Sequence, residues 1–350
     1  LQLLCAEEIA LQKPDENNWL IWGFSGSRRA VNDRQMAEIS TLISWDKVAK
    51  FDVSKERSSL KRFIGELRLL VEMKRDYRPT VNCLYLGDFR SQWMHYCRAA
   101  IAPDSTFLID DGAATLNVIN QYFEQGVYFP AAPTQGRSKI VAAAKRLMYR
   151  PLIDFKRLYE PVGVVSSFDL GLMGYRPGAR LTFENLKALL SDERLGHATT
   201  AEPCVFYFGS KYSEANVISF EYEVDFLADI KKHYDARGLK VYYYAHRDYA
   251  ERKLSLISER FGFDIVQPAE IAELHLLRLS RVPTEFASAY STVLNSCALL
   301  FPSVPKKSFK LDAEKITERH KHNIENVYSY YRQLGIEVVA PGHTVAEERA

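Results

Sequence analysis

The sequence predicts an α/β protein made of two Rossmann-like domains facing a central cleft. Three observations predict it. Short apolar runs alternate with amphipathic stretches through both halves of the 350-residue chain. A polar, small-residue segment, Ser191–Pro203 (SDERLGHATTAEP), separates the halves. The residues best suited to bind or react each follow a predicted strand, and parallel sheets collect ligands at such strand ends. With 47% hydrophobic and 12% aromatic residues the chain is not a disordered one. Its net charge of +2 gives no global basis for nucleic-acid binding, and none is expected. The five cysteines (Cys5, Cys83, Cys97, Cys204, Cys297) show no CxxC spacing, so neither a disulfide framework nor a zinc site is expected. A reducing, cytoplasmic compartment fits that usage. No apolar run reaches the ~18 residues of a membrane-spanning helix, and no secretory signal is visible. The opening Leu1-Gln2-Leu3-Leu4-Cys5 is already helix-like and lacks an initiator Met, so further residues, including a first strand, are expected before it.

The first domain is read as residues 1–190. Ala6 to Gln12 is helical, and Trp19 to Phe24 (WLIWGF) is a buried strand ending at the turn Ser25-Gly26-Ser27. Ser58 to Lys74 has helical periodicity, with Leu60, Phe63, Ile64, Leu67, Leu70 and Val71 on one face. The strand Val81–Leu86 precedes a Gly87-Asp88 turn and a helix over Ser91–Ala100, and the strand Thr106–Ile109 runs into Asp110-Asp111-Gly112. After the linker at 191–203, the second domain spans 204–310. Its expected elements are a strand Cys204–Phe208, a helix Ser219–Ala236, a strand Lys240–Tyr244, a helix Tyr249–Phe261 and a strand Phe263–Val266. A helix over Thr284–Ser296 and a strand Ala298–Phe301 follow. In 311–350, Asp312 is expected to cap a long helix with Ile324, Val327, Tyr331 and Leu334 on one face, ended by Gly335 and packing back on the first domain.

Four strand-end groups carry chemistry. The paired carboxylates Asp110 and Asp111, with Gly112, can serve as a general base, bind Mg²⁺ or simply form a turn. His246 and Arg247, after the strand Lys240–Tyr244, suit a phosphate, which one can protonate and the other hold by a charged fork. Glu270, in Pro268-Ala269-Glu270, can accept both hydroxyls of a ribose, or stand as an ordinary acid in a first helical turn. Ser291 and Thr292, in Ser288-Ala289-Tyr290-Ser291-Thr292, can hold phosphate at a helix start or cap that helix.

In order and spacing these groups resemble the bacterial sialyltransferases of GT-B fold, among them the lipooligosaccharide sialyltransferases and the capsular polysialyltransferases. That family carries a D/E-D/E-G motif in its first domain. An HP motif follows a strand of its second, then a Glu, then paired Ser/Thr. Here the series is Asp110-Asp111-Gly112, His246, Glu270 24 residues on, and Ser291-Thr292 from 45 residues on. The opening LQLLCA also resembles the stretch after the family's first strand, so the likeness spans nearly the whole chain. One departure is Arg247 in place of the HP proline, which bears on the donor sugar more than on the reaction class, since legionaminic and pseudaminic acids also travel as CMP esters.

The resemblance implies an inverting transfer of a sialic acid, or a related nonulosonic acid, from its CMP-activated donor to a glycan acceptor hydroxyl. It assigns Asp110 as the base and Asp111 as the residue that orients the loop. His246 would assist departure of CMP, Ser291 and Thr292 would bind its phosphate, and Glu270 its ribose. Gly209 and Ser210, after the strand Cys204–Phe208, would shape the donor pocket. No metal or other cofactor is implied, because the leaving group is a monophosphate. Surface polysaccharide, lipopolysaccharide or capsule synthesis is the implied setting. Arg137 to Arg157 holds seven basic residues against the single acid Asp154. It is read as a solvated face, or as a surface for an anionic glycan or the inner membrane. Two other readings stay open: a GT-B transferase using a UDP- or GDP-sugar, and a non-catalytic glycan-binding protein.

Overall fold

The computed structural model describes residues 1–24, 29–52, 59–78, 80–130, 145–191, 203–246, 249–279 and 282–341. The chain divides into two units, Leu1–Ser166 with Gly174–Leu181, and Ser167–Met173 with Thr182–Ala350.

In the first unit the order is α1 (Gln2–Leu11), β1 (Trp19–Phe24), α2 (Arg29–Ile39), β2 (Lys47–Asp52), α3 (Ser59–Glu72), β3 (Cys83–Leu86), α4 (Gln92–Ile101), β4 (Ser105–Leu108), α5 (Ala114–Gln121), β5 (Gly163–Ser166) and β6 (Ala179–Arg180). Strands β1 and β2 pair as a parallel two-stranded sheet, and β3-β4-β5-β6 form a separate four-stranded parallel sheet in that order. Leu70 of α3 is buried with Cys97, Ala100 and Ile101 of α4, and Phe63 and Leu67 pack against the same cluster. These α3 residues recur at i, i+4 and i+7, the inward stripe of a helix. Ile64 and Val71, expected on that face, are exposed instead. They stand one position further on, which turns them out of the stripe.

The second unit contains α6 (Glu184–Ser191), β7 (Cys204–Phe208), α7 (Phe220–Ala236), β8 (Lys240–Tyr244), α8 (Glu251–Phe261), β9 (Asp264–Val266), α9 (Ala272–Leu277), β10 (Glu285–Ser288), α10 (Val293–Leu300), β11 (Lys306–Phe309), α11 (Glu318–Gln333) and β12 (Glu337–Val339). Its six strands are all parallel, in the order β12-β11-β10-β7-β8-β9. Every residue of β7 is buried, as a central parallel strand covered on both faces requires. Alternate residues Val205 and Tyr207, with Val241, Tyr243, Ala287 and Phe309 of neighbouring strands, form one core layer. Ile230 and Tyr234 of α7, Leu254 and Ile257 of α8, and Ile324 and Tyr328 of α11 close that layer.

Several boundaries differ from the sequence reading. Where a helix was expected from Thr284, the buried residues Glu285–Ser288 form β10, and the helix begins only at Val293. Ala298–Phe301, expected as a strand, continues α10, because a short apolar run fits a buried helix as well as a strand. Asp312 does not cap the long helix. Its Oδ1 accepts the Glu314 N–H in a preceding turn, and α11 starts at Glu318. Gly335 does follow α11, with φ of +79°. Of the segment 311–350, expected to pack back on the first domain, Ile324 and Tyr328 pack in the second unit's core, Tyr330 OH accepts the Asp169 N–H at 2.9 Å, and residues 342–350 lie outside the described residues. Ser167–Met173 and α6 also belong to that unit, although they precede the expected linker. That linker, apart from its end residues, and the Ser25-Gly26-Ser27 turn lie outside the described residues.

Candidate active site

In the first unit the candidate residues collect at the carboxyl ends of β3, β4 and β5. Ile109 still donates its N–H to Leu86 O at 2.9 Å, so the chain leaves the sheet only at Asp110. Gly112, at φ +61°, makes the sharp turn into α5 that a side chain would strain. Thr115 fixes the turn from below: its N–H donates to Gly112 O at 3.0 Å, and its Oγ1 accepts the Asp111 N–H at 2.9 Å.

The two carboxylates point into different surroundings. Asp110 has no exposed surface. Its Oδ1 accepts the Ser166 hydroxyl at 2.5 Å, at the end of β5, and Cys5 Sγ of α1 lies 4.0 Å from Oδ2. Asp111 is partly exposed. Gln2 Nε2 donates to its Oδ1 at 2.8 Å, and the Arg90 guanidinium to its Oδ2 at 2.9 Å. Burial, reinforced by the nearby Asp88 carboxylate, holds the Asp111 carboxyl above the ordinary aspartate range, against the opposing pull of Arg90 and Gln2. The residue expected as base is therefore the enclosed one, and the residue expected as orienter meets solvent. Sequence reasoning missed Gln2, Asp88, Arg90 and Ser166. The strand-end rule reaches Asp88 and Arg90, which follow the strand read at 81–86. Ser166 escaped because its short strand was not recognised.

In the second unit the remaining candidates stand at the carboxyl ends of four adjacent strands, β10, β7, β8 and β9. Successive connections run outward from β7 to β8 and β9, then return to β10 on the other side of β7. The β7–β10 junction is thus the switch point at which open parallel sheets bind ligands. Gly209-Ser210 leaves β7 there and Ser291-Thr292 follows β10.

Gly209 is buried, and a Cβ on it would lie 2.1 Å from the Tyr243 hydroxyl, so close packing already demands glycine. Ser210 O accepts from Lys253 Nζ at 2.9 Å. Lys253, itself buried, also meets Glu214 Oε2 at 3.1 Å and Glu223 Oε1 at 2.5 Å, and the Ala250 N–H donates to Glu214 Oε1 at 3.2 Å. This ionic node ties the turn after β7 to the start of α8. His246, after β8, is half-buried, and its carbonyl accepts the Tyr249 N–H at 3.0 Å. Arg247 lies outside the described residues.

Glu270 follows β9. It accepts from His275 Nδ1 at 3.1 Å and from the Arg278 guanidinium at 2.6 Å. Burial pushes its carboxyl upward, but these two hydrogen bonds and the attached charges hold it below the ordinary glutamate range. Neither His275 nor Arg278 was singled out from sequence. His275 lies on α9 and Arg278 just past its end, five and eight residues after Glu270. Ser291 Oγ accepts the Val293 N–H at 3.4 Å from the position before the N-cap Thr292, whose own side chain makes no capping bond. Its carbonyl accepts the Tyr331 hydroxyl of α11, while Tyr330 OH donates to Asn295 Oδ1 at 2.8 Å. The long C-terminal helix thereby holds the start of α10.

The sequence matches no protein-family profile and no curated protein. Solved structures do match. A Listeria monocytogenes protein described as a UDP-N-acetylglucosamine 2-epimerase is similar with a TM-score of 0.50 at 10% identity, over 98% of this chain and 88% of that one. An α/β-galactoside α-2,3-sialyltransferase from Photobacterium phosphoreum aligns with a TM-score of 0.47 at 10% identity, over 96% and 95% of the two chains. Arabidopsis thaliana UGT89C1, complexed with UDP-L-rhamnose, aligns with a TM-score of 0.48 at 11% identity, over 96% and 80%. The chain has the GT-B fold, α/β with two Rossmann-like domains.

Proposed function

We propose that this chain is a glycosyltransferase that moves a sialic acid or related nonulosonic acid from its CMP ester to a glycan hydroxyl. One observation carries the reading. His246, Glu270 and Ser291-Thr292, with Gly209-Ser210 between them, stand at the carboxyl ends of four neighbouring parallel strands around one switch point. Their chemistry suits a ribose monophosphate. Glu270, kept ionised by His275 and Arg278, retains lone pairs for ribose hydroxyls. Ser291 and Thr292 offer hydroxyls to the phosphate. His246 offers a proton or a charged hydrogen bond to the phosphate oxygen as the glycosidic bond breaks.

In this proposal the base is Asp111, in place of Asp110. A base must touch the acceptor hydroxyl. Asp110, wholly buried and already bonded to Ser166, instead holds the turn in place. Asp111 meets solvent, and burial with the nearby Asp88 carboxylate raises its pKa, so its carboxylate is more basic than that of an ordinary aspartate. The acceptor oxygen attacks the anomeric carbon, its proton passes to Asp111, and CMP leaves with the bonding electrons.

Transfer rate and CMP affinity, measured side by side for Asp110→Asn, Asp111→Asn and His246→Ala, test the reading. Asp111→Asn is expected to lose about 10²–10⁴ in rate with CMP affinity intact. His246→Ala is expected to lose both, and Asp110→Asn to lose stability first. If Asp110→Asn is inactive in its folded state while Asp111→Asn keeps full turnover, the exchange of roles is wrong. If both keep it, neither carboxylate is the base.

A further inference from the structure

We propose that the segment 145–159 of the first unit is a contact surface for an anionic lipid bilayer. The charge run at 137–157 shows only that the region is basic. The structure adds which of its residues are already used and which apolar side chains stand beside the rest.

Two of the cations are taken up inside the protein. Lys145 donates to Glu66 Oε2 at 2.6 Å, and Arg157 donates to Pro103 O at 3.1 Å and pairs with Glu160 at 3.4 Å. The segment's acid is occupied as well: Asp154 Oδ1 accepts the Lys156 N–H at the start of a short 3₁₀ turn, Phe155–Tyr159. Arg146, Arg150 and Lys156 remain exposed and make no ion pair among the described residues. The Arg146 guanidinium lies 5.1 Å from the Phe155 ring centroid, which joins the helical residues 145–149 to the 3₁₀ turn.

The apolar residues of the segment divide into two sets. Tyr149, Ile153 and Leu158 are buried in the first unit's core and anchor the segment. Leu147, Met148 and Tyr159 face outward at 69%, 48% and 68% exposure, and Leu147 and Tyr159 are the most exposed large hydrophobic residues among those described. Exposed apolar residues scattered singly are ordinary; three within thirteen positions, interleaved with three cations that make no ion pair among the described residues, are not. A soluble polyanion such as a glycan would satisfy the cations and leave Leu147 and Met148 in water. A bilayer surface satisfies both, with phosphate headgroups for the cations and the acyl boundary for the apolar tips. No described helix is long and apolar enough to cross a membrane, so the contact is a peripheral one.

Cosedimentation of the full chain with phosphatidylcholine–phosphatidylglycerol vesicles tests this, with pure phosphatidylcholine vesicles and heparin as companions. Binding to the anionic vesicles is expected, weakening as salt rises. Arg146→Gln, Arg150→Gln and Lys156→Gln together should weaken it on the order of 100-fold, at about fivefold per cation. Leu147→Ser, Met148→Ser and Tyr159→Ser together should weaken it by at least about tenfold. All six side chains are exposed, so unchanged melting curves will show that the variants fold. No binding to anionic vesicles, or equal binding to pure phosphatidylcholine that the cation variant leaves intact, overturns the proposal. Heparin binding without vesicle binding assigns the surface to an anionic polymer instead. A dimer lost in the serine variant, again without vesicle binding, assigns it to a second copy of the chain.

Discussion

Replacing Lys253 by Met is expected to cost the second unit about 3–5 kcal/mol, because it breaks a buried ion cluster by removing the cation that both Glu214 and Glu223 meet. Lys253 and Glu223 have side chains only 4% and 2% exposed, and their charges meet at 2.5 Å. Glu214 Oε2 lies 3.1 Å from the same ammonium. Met fills most of the lysine's volume, so the loss reports charge and not a cavity. For a unit of this size, roughly 2–4 °C of melting temperature per kcal/mol gives a fall of about 6–20 °C at pH 7. The sign of the pH dependence can be stated too. In the wild type, burial raises the Glu214 pKa, but backbone hydrogen bonds and Lys253 hold it below its ordinary value. That stabilisation is present above the unfolded pKa and fades as pH falls through the folded one. In the variant the uncompensated Glu214 carboxylate is driven the other way, so its penalty shrinks as it takes up a proton. Thermal melts by circular dichroism at pH 7 and pH 5 should therefore show the gap narrowing on acidification. A variant that melts within about 2 °C of wild type at pH 7 would refute the claim that this node supports the turns after β7 and β8.

Other outcomes follow from the same contacts. Tyr331→Phe removes the hydroxyl that holds Ser291 O; it should raise the donor KM several-fold, for a bond worth about 0.5–1.5 kcal/mol, and leave kcat nearly unchanged in steady-state assays. Gly209→Ala forces a methyl to within 2.1 Å of the Tyr243 hydroxyl and should lower stability by about 1–3 kcal/mol in denaturant titrations. Transfer should fail on the acid side as Asp111 takes up its proton, and Arg90→Gln, which removes a charge that favours the ionised form, should shift that limb to higher pH. Glu270→Ala should weaken donor binding more than turnover, since ribose contacts do not change as the sugar departs.

Much of this was legible in the sequence for a physical reason. A parallel strand covered on both faces needs a continuous apolar run, so WLIWGF, CVFYF and KVYYY announced β1, β7 and β8 within a residue. The strand ends then pointed to Asp110, His246 and Glu270 without knowledge of pairing. Strands with a mixed composition were missed: β2 reads KVAKFD and β11 KKSF, and their pattern is set by neighbours far along the chain. Residues 298–301 were misread because ALL, the last three residues of α10, is an apolar run too short to reveal its period. At the site, the sequence placed two carboxylates together but carried nothing about their exposure. Ser166, 56 residues on from Asp110, and Cys5, 105 residues before it, decide which one is enclosed.

The most direct measurement is CMP binding to the wild-type chain by titration calorimetry, beside UDP and GDP under the same conditions. CMP is expected to bind, UDP and GDP at least about tenfold more weakly, and His246→Ala and Glu270→Ala are each expected to lose CMP affinity while Asp111→Asn keeps it. Equal affinity for the three nucleotides, or CMP binding that neither His246→Ala nor Glu270→Ala alters, contradicts a CMP-sugar site at the carboxyl ends of β10, β7, β8 and β9.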